Sequence, residues 1–454
     1  MILPSESNSK DTKDPTFGHQ RTTKLKIFVA VNIGNVLEWY DWTVFAIFST
    51  YFASSFFHGE NDVSNLLSVL MVFAAGFALR PLGGFFFGRL ADRQGRRLVL
   101  VVTMSLVAAC SLLIGVAPTY EQIGVLASLW LVLARCLQGF AHGGELGGSY
   151  TYIAEAARPR NRALWGSTII MSTVVGTVLA TLLGAILRTG LSEQEVMAWG
   201  WRVPFVVGGI LGVLALYLRR NLQESATFSA EQDNRPGDER VQRLRELWEQ
   251  RGSILRVMVI VAGTTVISYT WSVSAPAYAQ TFYGVDDQAA LWAGVVANLV
   301  FIAALPLAAM LADRAGRRFN FVLWGLGMAI FVFPLSWLLS SGVYGLLLAM
   351  CLALTLQSLG ASIQVAWFAE LFSTRSRATG VGIAVSVSAA VFGGTAPYLN
   401  SWLTANGLSE LFTGYAVILA LAGILVAFFT PETKGTRLVE SKASEYAEHG
   451  DSPT

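Results

Sequence analysis

The stretch GNVLEWYDW, Gly34 to Trp42, decides how this chain reads. It lies in the middle of the first long apolar segment, where hydrocarbon would surround it. Glu38 and Asp41 are three residues apart, so on a helix they share a face. A carboxylate at bilayer depth costs about 2.5–3.5 kcal/mol on insertion scales, so this pair needs a cation, a proton or a water-filled cavity. The alternative is a helix end resting at the membrane interface. Apolar residues continue for about a dozen positions past Asp41, which argues against that alternative.

The rest of the composition agrees with a membrane setting. Of 454 residues, 54% are hydrophobic and 14% charged, and the mean hydropathy is +0.52. Soluble domains carry about 25% charge. The fold class expected is therefore an all-α membrane protein, not a large soluble core. Net charge is +2, and its placement says more than its size. The polar first 25 residues have no short apolar core of a signal peptide. Cys110, Cys136 and Cys351 all fall in apolar runs and read as small core residues.

Twelve apolar segments follow one another: 27–53, 66–88, 98–117, 123–149, 163–187, 200–218, 255–282, 290–311, 320–338, 343–369, 378–402 and 409–430. Lys and Arg collect in alternate connections: the N-terminal tail, Arg89 to Arg97, Arg158 to Arg162, Arg219 to Arg256, Arg314 to Arg318, Arg375 to Arg377 and the C-terminal tail. The other connections are nearly bare, with Arg188 the clear exception. Positive loops stay in the cytoplasm, so both termini are expected there, in a multi-pass cytoplasmic (inner) membrane protein. The expected division is a tail 1–25, a six-helix bundle 26–219, a linker 220–254, a second bundle 255–430 and a tail 431–454. In the linker, Val241, Leu244, Leu247 and Trp248 recur at helical spacing, as in a surface amphipathic helix or a solvated linker helix.

The charged punctuation repeats. GRLADRQGRR (Gly88 to Arg97) stands after the second segment and MLADRAGRR (Met310 to Arg318) after the eighth. Glu155 precedes Arg162 by seven residues, as Glu370 precedes Arg377. Two such matches at similar offset imply duplicated halves. Rows of small residues, Gly84 and Gly88, Gly139 to Gly147, and Ser172 to Gly184, mark close helix packing.

These residues resemble a known family. GRLADRQGRR, its second copy and the long middle loop resemble the major facilitator superfamily, whose fold is two six-helix bundles rocking about a central site. GNVLEWYDW, FALRPLGG (Phe77 to Gly84), LARCLQGFAHGGE (Leu133 to Glu145), WGWRVPF (Trp199 to Phe205) and FGGTAP (Phe392 to Pro397) are similar to the metabolite–proton symporter family. Leu133 to Arg135 and LRRNLQES (Leu218 to Ser225) look most like its 2-oxoglutarate permeases. That resemblance implies alternating-access import of a small organic acid with protons; other family members carry citrate, shikimate, or proline and betaine. PETKG (Pro431 to Gly435) instead resembles the ending of sugar porters, and reads as a helix end.

Asp41, Glu38 and His142 are the candidates for proton coupling. Arg135, Gln138, His142 and Glu145 form one helical stripe, and an arginine in hydrocarbon must face the bundle interior, with Asp41 as its natural partner. An anion drawn to Arg135 would free the acid to take a proton. The other reading is a static ion pair bracing two helices. Candidate substrate contacts are Arg135, Arg80, Tyr40, Gln138, Tyr269, Trp271 and Gln364. Arg80 could serve as a second cation or as a brace; Arg202 could draw anions or hold the interface beside Trp199 and Trp201. Asp92, Arg93, Glu145, Glu155 and Arg162, with Asp313, Arg314, Glu370 and Arg377 in the second half, are expected to gate the conformational change.

Expected partners are a small anionic metabolite, protons and the lipid bilayer, in a monomer without nucleic acid. No cofactor, metal site or enzyme activity is expected: the sequence has no phosphate-cradling loop, metal-ligand cluster or triad. Two further readings stay open at this point. An osmolyte carrier would bring a long heptad tail, which residues 431–454 lack. A drug–proton antiporter would bring a proline in the Gly176 to Gly184 run, which is also absent.

Overall fold

The computed structural model describes residues 15–94, 96–143, 146–220, 247–374 and 376–438. Among these residues there is no strand, and the helices group into twelve spans. Span one is Pro15–Phe56. Span two is Asp62–Ala78 continued by Arg80–Gln94. Span three is Arg96–Gly115. Span four is Val125–His142 continued by Leu146–Ala156. Spans five and six are Arg162–Gly190 and Arg202–Arg220. The second set runs Arg251–Tyr283, Asp287–Ala315, Arg317–Leu338, Gly342–Ala361 extended by Gln364–Glu370, Arg377–Ala405 and Ser409–Phe428.

Spans one to six pack as one bundle and seven to twelve as the other. Span five lies along span eight, and span two along span eleven, so these pairs form the seam between bundles. Spans three and six pair on one flank, and nine and twelve on the other. The end carrying the Arg-rich loops is called the basic end.

Most expected segments are matched to within a few residues. Span one begins at Pro15, inside the stretch expected to be tail, because a helix need not stop where its residues turn polar. Of the amphipathic stretch in the linker, Val241 and Leu244 lie outside the described residues.

Two proline-linked irregularities shape the seam. Pro276 has no N–H, so the carbonyl of Ser272 loses its helical partner. A π-helical turn, Tyr269–Ser274, widens the helix there. Asn298 of span eight donates to that freed Ser272 carbonyl at 3.0 Å and accepts from the Ser272 hydroxyl at 2.5 Å. Span eleven repeats the device, with a π turn Ala389–Gly393 just ahead of Pro397. The second π turn packs on span two, and the Tyr269 ring of the first meets Phe73 and Phe77 there.

Spans two and four meet with almost no side-chain spacer. A Cβ on Gly139 would stand 1.8 Å from the Gly76 carbonyl oxygen, and one on Gly143 would stand 1.9 Å from that of Arg80. This contact sets Arg80 and Arg135 side by side. Gly139→Ala is therefore expected to separate the two spans at a cost of more than about 3 kcal/mol, beyond ordinary overpacking. A thermal-stability assay of the detergent-solubilised protein measures it; unchanged stability contradicts the close approach.

Candidate functional site

Two buried ion-pair clusters occupy the first bundle. In one, Arg135 of span four donates to Asp41 of span one at 3.2 Å. It also donates to Gln138 Oε1 at 2.9 Å. Gln138 in turn donates to the Ser111 hydroxyl at 3.0 Å, and Ser111 donates to the other Asp41 oxygen. The four side chains close a ring, and each is at most 4% exposed. In the second cluster, Glu38 Oε1 lies 3.5 Å from the Arg80 guanidinium and 3.6 Å from His142 Nδ1. Trp42 links the two clusters: its ring lies 3.7 Å from Arg135 Cζ and 4.2 Å from Arg80 Cζ. Desolvated cation–π contacts of this kind contribute about 2 kcal/mol each. They offset part of the cost of burying two guanidinium groups.

Between the bundles lies a cavity of about 90 Å³. Asn35, Trp39, Arg80 and Tyr150 border it from the first bundle. Thr264, Ser268, Tyr269 and Gln364 border it from the second. Among the described residues, Arg80 is the one charged side chain on its wall. Arg80 Nε and Nη2 and the Tyr269 hydroxyl are buried and make no hydrogen bond to protein. Donors of this kind beside a largely apolar space suit an anionic oxygen. Gln364 is held by Thr264 at 3.0 Å. The aromatic rings of Trp39 and Tyr269 lie 5.7 Å apart across the seam.

Both ends of the cavity are closed by contacts between the halves. At the basic end, Arg162 donates to Glu370 at 2.6 Å and Arg377 to Glu155 at 2.5 Å. The repeated Glu and Arg thus pair with the opposite half. Asp313 accepts from the backbone N–H groups of Ala163 and Leu164 at 3.0 Å each, capping span five from the other bundle. Arg317 holds Asp313 and Glu370 together at 2.9 and 3.2 Å. The PETKG segment does more than end a helix. Glu432 accepts from the backbone of Arg317 and Arg318, Thr433 donates to Glu370, and the Thr436 and Leu438 carbonyls accept from Arg162 and Arg377. At the opposite end, Arg188 forks onto Asp287, and Tyr51 donates to the same carboxylate at 3.0 Å.

Glu370→Gln is expected to loosen the basic end, since one carboxylate there holds Arg162, Arg317 and Thr433. A cysteine introduced at Ser268 should then label faster with a thiol reagent applied from the basic end. An unchanged rate would show that Glu370 does not govern closure.

The other expected site residues fall as follows. Arg80, Tyr269 and Gln364 border the central cavity. Arg135 and Gln138 sit one layer behind it, beyond Trp42. Tyr40 turns away and donates to the Pro204 carbonyl at 2.8 Å, whereas its neighbour Trp39 faces the cavity. Trp271 is buried at 1% exposure and is not on the cavity wall. Arg314 is exposed, and Arg317 occupies the network position expected of it. Arg202 donates to the Gly115 and Ala117 carbonyls, closing the end of span three. The side chains of Asp92 and Arg93, and Glu145 altogether, lie outside the described residues. Sequence reasoning passed over Arg317, Glu432, Ser111, Tyr51 and Asp287; the second LADRAGRR copy was a signal for Arg317, and the lone Arg188 was one for Asp287.

A largely apolar cavity with one buried arginine on its wall, held between two six-helix bundles with ion pairs closing both ends, defines a membrane transporter. The model of the Major Facilitator Superfamily matches residues 31–356 and 259–449, and the chain belongs to that superfamily of secondary transporters. It is 35% identical over 414 residues to the alpha-ketoglutarate permease of Escherichia coli (strain K12), covering 90% of this chain and 94% of that protein. It is 31% identical over 441 residues to a putative proline/betaine transporter of Staphylococcus aureus (strain COL), covering 93% and 94%. Among solved structures, a partially occluded inward-open form of the xylose transporter XylE from E. coli superposes with a TM-score of 0.69. That match has 20% identity and covers 91% of this chain and 99% of XylE.

Proposed function

We propose that this protein is a proton-coupled symporter that imports a small organic acid, a dicarboxylate such as 2-oxoglutarate, by alternating access. One observation carries the reading: the Arg80 guanidinium stands on the wall of the inter-bundle cavity, its Nε without a hydrogen bond to protein and its Nη2 held only by the 3.5 Å ion pair to Glu38. A substrate carboxylate supplies hydrogen-bond acceptors for that guanidinium and competes with Glu38 for its charge. Its second carboxylate meets neutral donors, Tyr269 and the amide of Gln364. The likeness to the alpha-ketoglutarate permease supports the same substrate class. In this reading both termini and the basic end face the cytoplasm, the protein sits in the inner membrane and it works as a monomer.

Coupling to protons follows from the two carboxylates, Asp41 and Glu38, each held against an arginine. Carrying a dianion inward against an inside-negative potential costs about 4.6 kcal/mol per 100 mV, and each accompanying proton removes about half of that.

A second reading has its own support. The Trp39 and Tyr269 rings could take the cationic head of betaine while Arg80 takes its carboxylate. The putative proline/betaine transporters among the relatives support it. Uptake of labelled 2-oxoglutarate, citrate, shikimate, proline and betaine by expressing cells, with an external acid jump and with a protonophore, separates the readings. Acid-driven 2-oxoglutarate accumulation that the protonophore stops is expected. Betaine uptake with no acid transported would hand the case to the second reading.

A further inference from the structure

We propose that a second, smaller cavity inside the first bundle holds water that passes a proton between Asp41 and Glu38. It has a volume of about 30 Å³ and lies between spans one, three, four and six. A water needs roughly 10–15 Å³ of such space, so about two fit. Its polar wall is Glu38, Asp41, Thr103, Ser111 and His142; Gly208 and Gly212 leave the room opposite. His142 Nε2 is buried and makes no hydrogen bond to protein. Water in this cavity supplies its partner.

The relay rests on the symport reading, and it answers a geometric difficulty in it. Neither Asp41 nor Arg135 borders the central cavity, so a substrate there cannot touch that pair. It touches Arg80, whose counter-ion is Glu38. Once the substrate carboxylate takes Arg80, Glu38 has lost its cation and becomes the better proton acceptor. The O–H bond of protonated Asp41 then breaks toward the water, and a water O–H proton moves onto Glu38. One O–H bond is broken and one formed, the water is regenerated, and Asp41 is left as the carboxylate opposite Arg135. The titratable groups facing this path are Asp41, Glu38 and Tyr40 of span one, Arg80 of span two, Cys110 of span three, Arg135, His142 and Tyr150 of span four, and Tyr269 of span seven. Span six brings glycines only to the wall.

Thr103 and Ala141 test it, because they line the small cavity and not the substrate cavity. In proteoliposomes, Thr103→Val removes a hydroxyl at constant volume, and Ala141→Val fills space. Each is expected to cut acid-driven 2-oxoglutarate accumulation about tenfold, the loss of one good water bridge. Substrate counterflow without a proton gradient should persist, and Thr103→Ser should restore accumulation. Wild-type accumulation in both valine variants overturns the relay, as does parallel loss of counterflow. An independent measurement needs no substrate, so it stands even if the substrate reading fails. In infrared spectra of the purified protein titrated with acid, the carboxylic bands of Asp41 and Glu38, assigned with Asp41→Asn and Glu38→Gln, should shift together on Thr103→Val. Bands indifferent to one another and to Thr103 overturn the relay.

Discussion

Asp41→Asn is expected to leave substrate exchange running while removing accumulation driven by a proton gradient. Asparagine keeps the shape, its Oδ1 can accept from Arg135 while its Nδ2 donates to the Ser111 hydroxyl, but it cannot bind or release a proton. One coupled proton is worth about 1.4 kcal/mol per pH unit, a tenfold accumulation ratio, so the variant should lose about that factor for each unit of imposed gradient. Arg135 loses its counter-charge, and breaking one side of a buried pair costs about 3–5 kcal/mol. Counterflow of labelled 2-oxoglutarate in proteoliposomes therefore serves as the control for folding. Accumulation at the wild-type ratio would remove Asp41 from coupling and leave the Asp41–Arg135 ring as a brace.

The second large effect is expected at Arg80. Arg80→Gln keeps a planar donor group but removes the charge on the cavity wall. Losing one member of a desolvated charge pair costs about 2–5 kcal/mol, so 2-oxoglutarate affinity should fall by at least ~30-fold. Arg80→Lys should recover only part of the loss, because an ammonium cannot fork onto a carboxylate or lie flat on the Trp42 ring. Binding measured on the detergent-solubilised protein, by scintillation proximity or calorimetry, reads this directly. Normal affinity in Arg80→Gln would confine Arg80 to holding Glu38 and Trp42 in place.

The long-range plan of this molecule is written in its local residue types. Apolar runs and alternating basic loops give twelve spans, because hydrocarbon leaves a backbone few other choices. The repeated LADR loops reveal the two halves. Opposite charges within apolar runs find each other, as Asp41 finds Arg135, because hydrocarbon offers a buried charge nothing else; Glu38 settles between Arg80 and His142. What escaped depends on rotation and on contacts between halves. One residue step turns a helix by 100°, which is why Trp39, not Tyr40, reaches the central cavity. The crossed pairs Glu155–Arg377 and Arg162–Glu370 need the relative placement of two bundles that no spacing within one bundle records. The docking of Glu432 and Thr433 was illegible for the same reason: its partners lie more than 60 residues away along the chain or in the other half.

The two seals on the central chamber are unequal. One rests on several contacts, the dry Arg162, Arg317 and Glu370 together with the half-wet Arg377–Glu155 pair, strapped down further by the chain's last described residues. The other rests mainly on a single arginine–aspartate fork whose members keep 12% and 16% of their surface wet. Several bonds must break together at the first and one fork at the second, so the first door to give way is the one remote from the Arg-rich loops. With the basic end cytoplasmic, as proposed above, that door is the outward one.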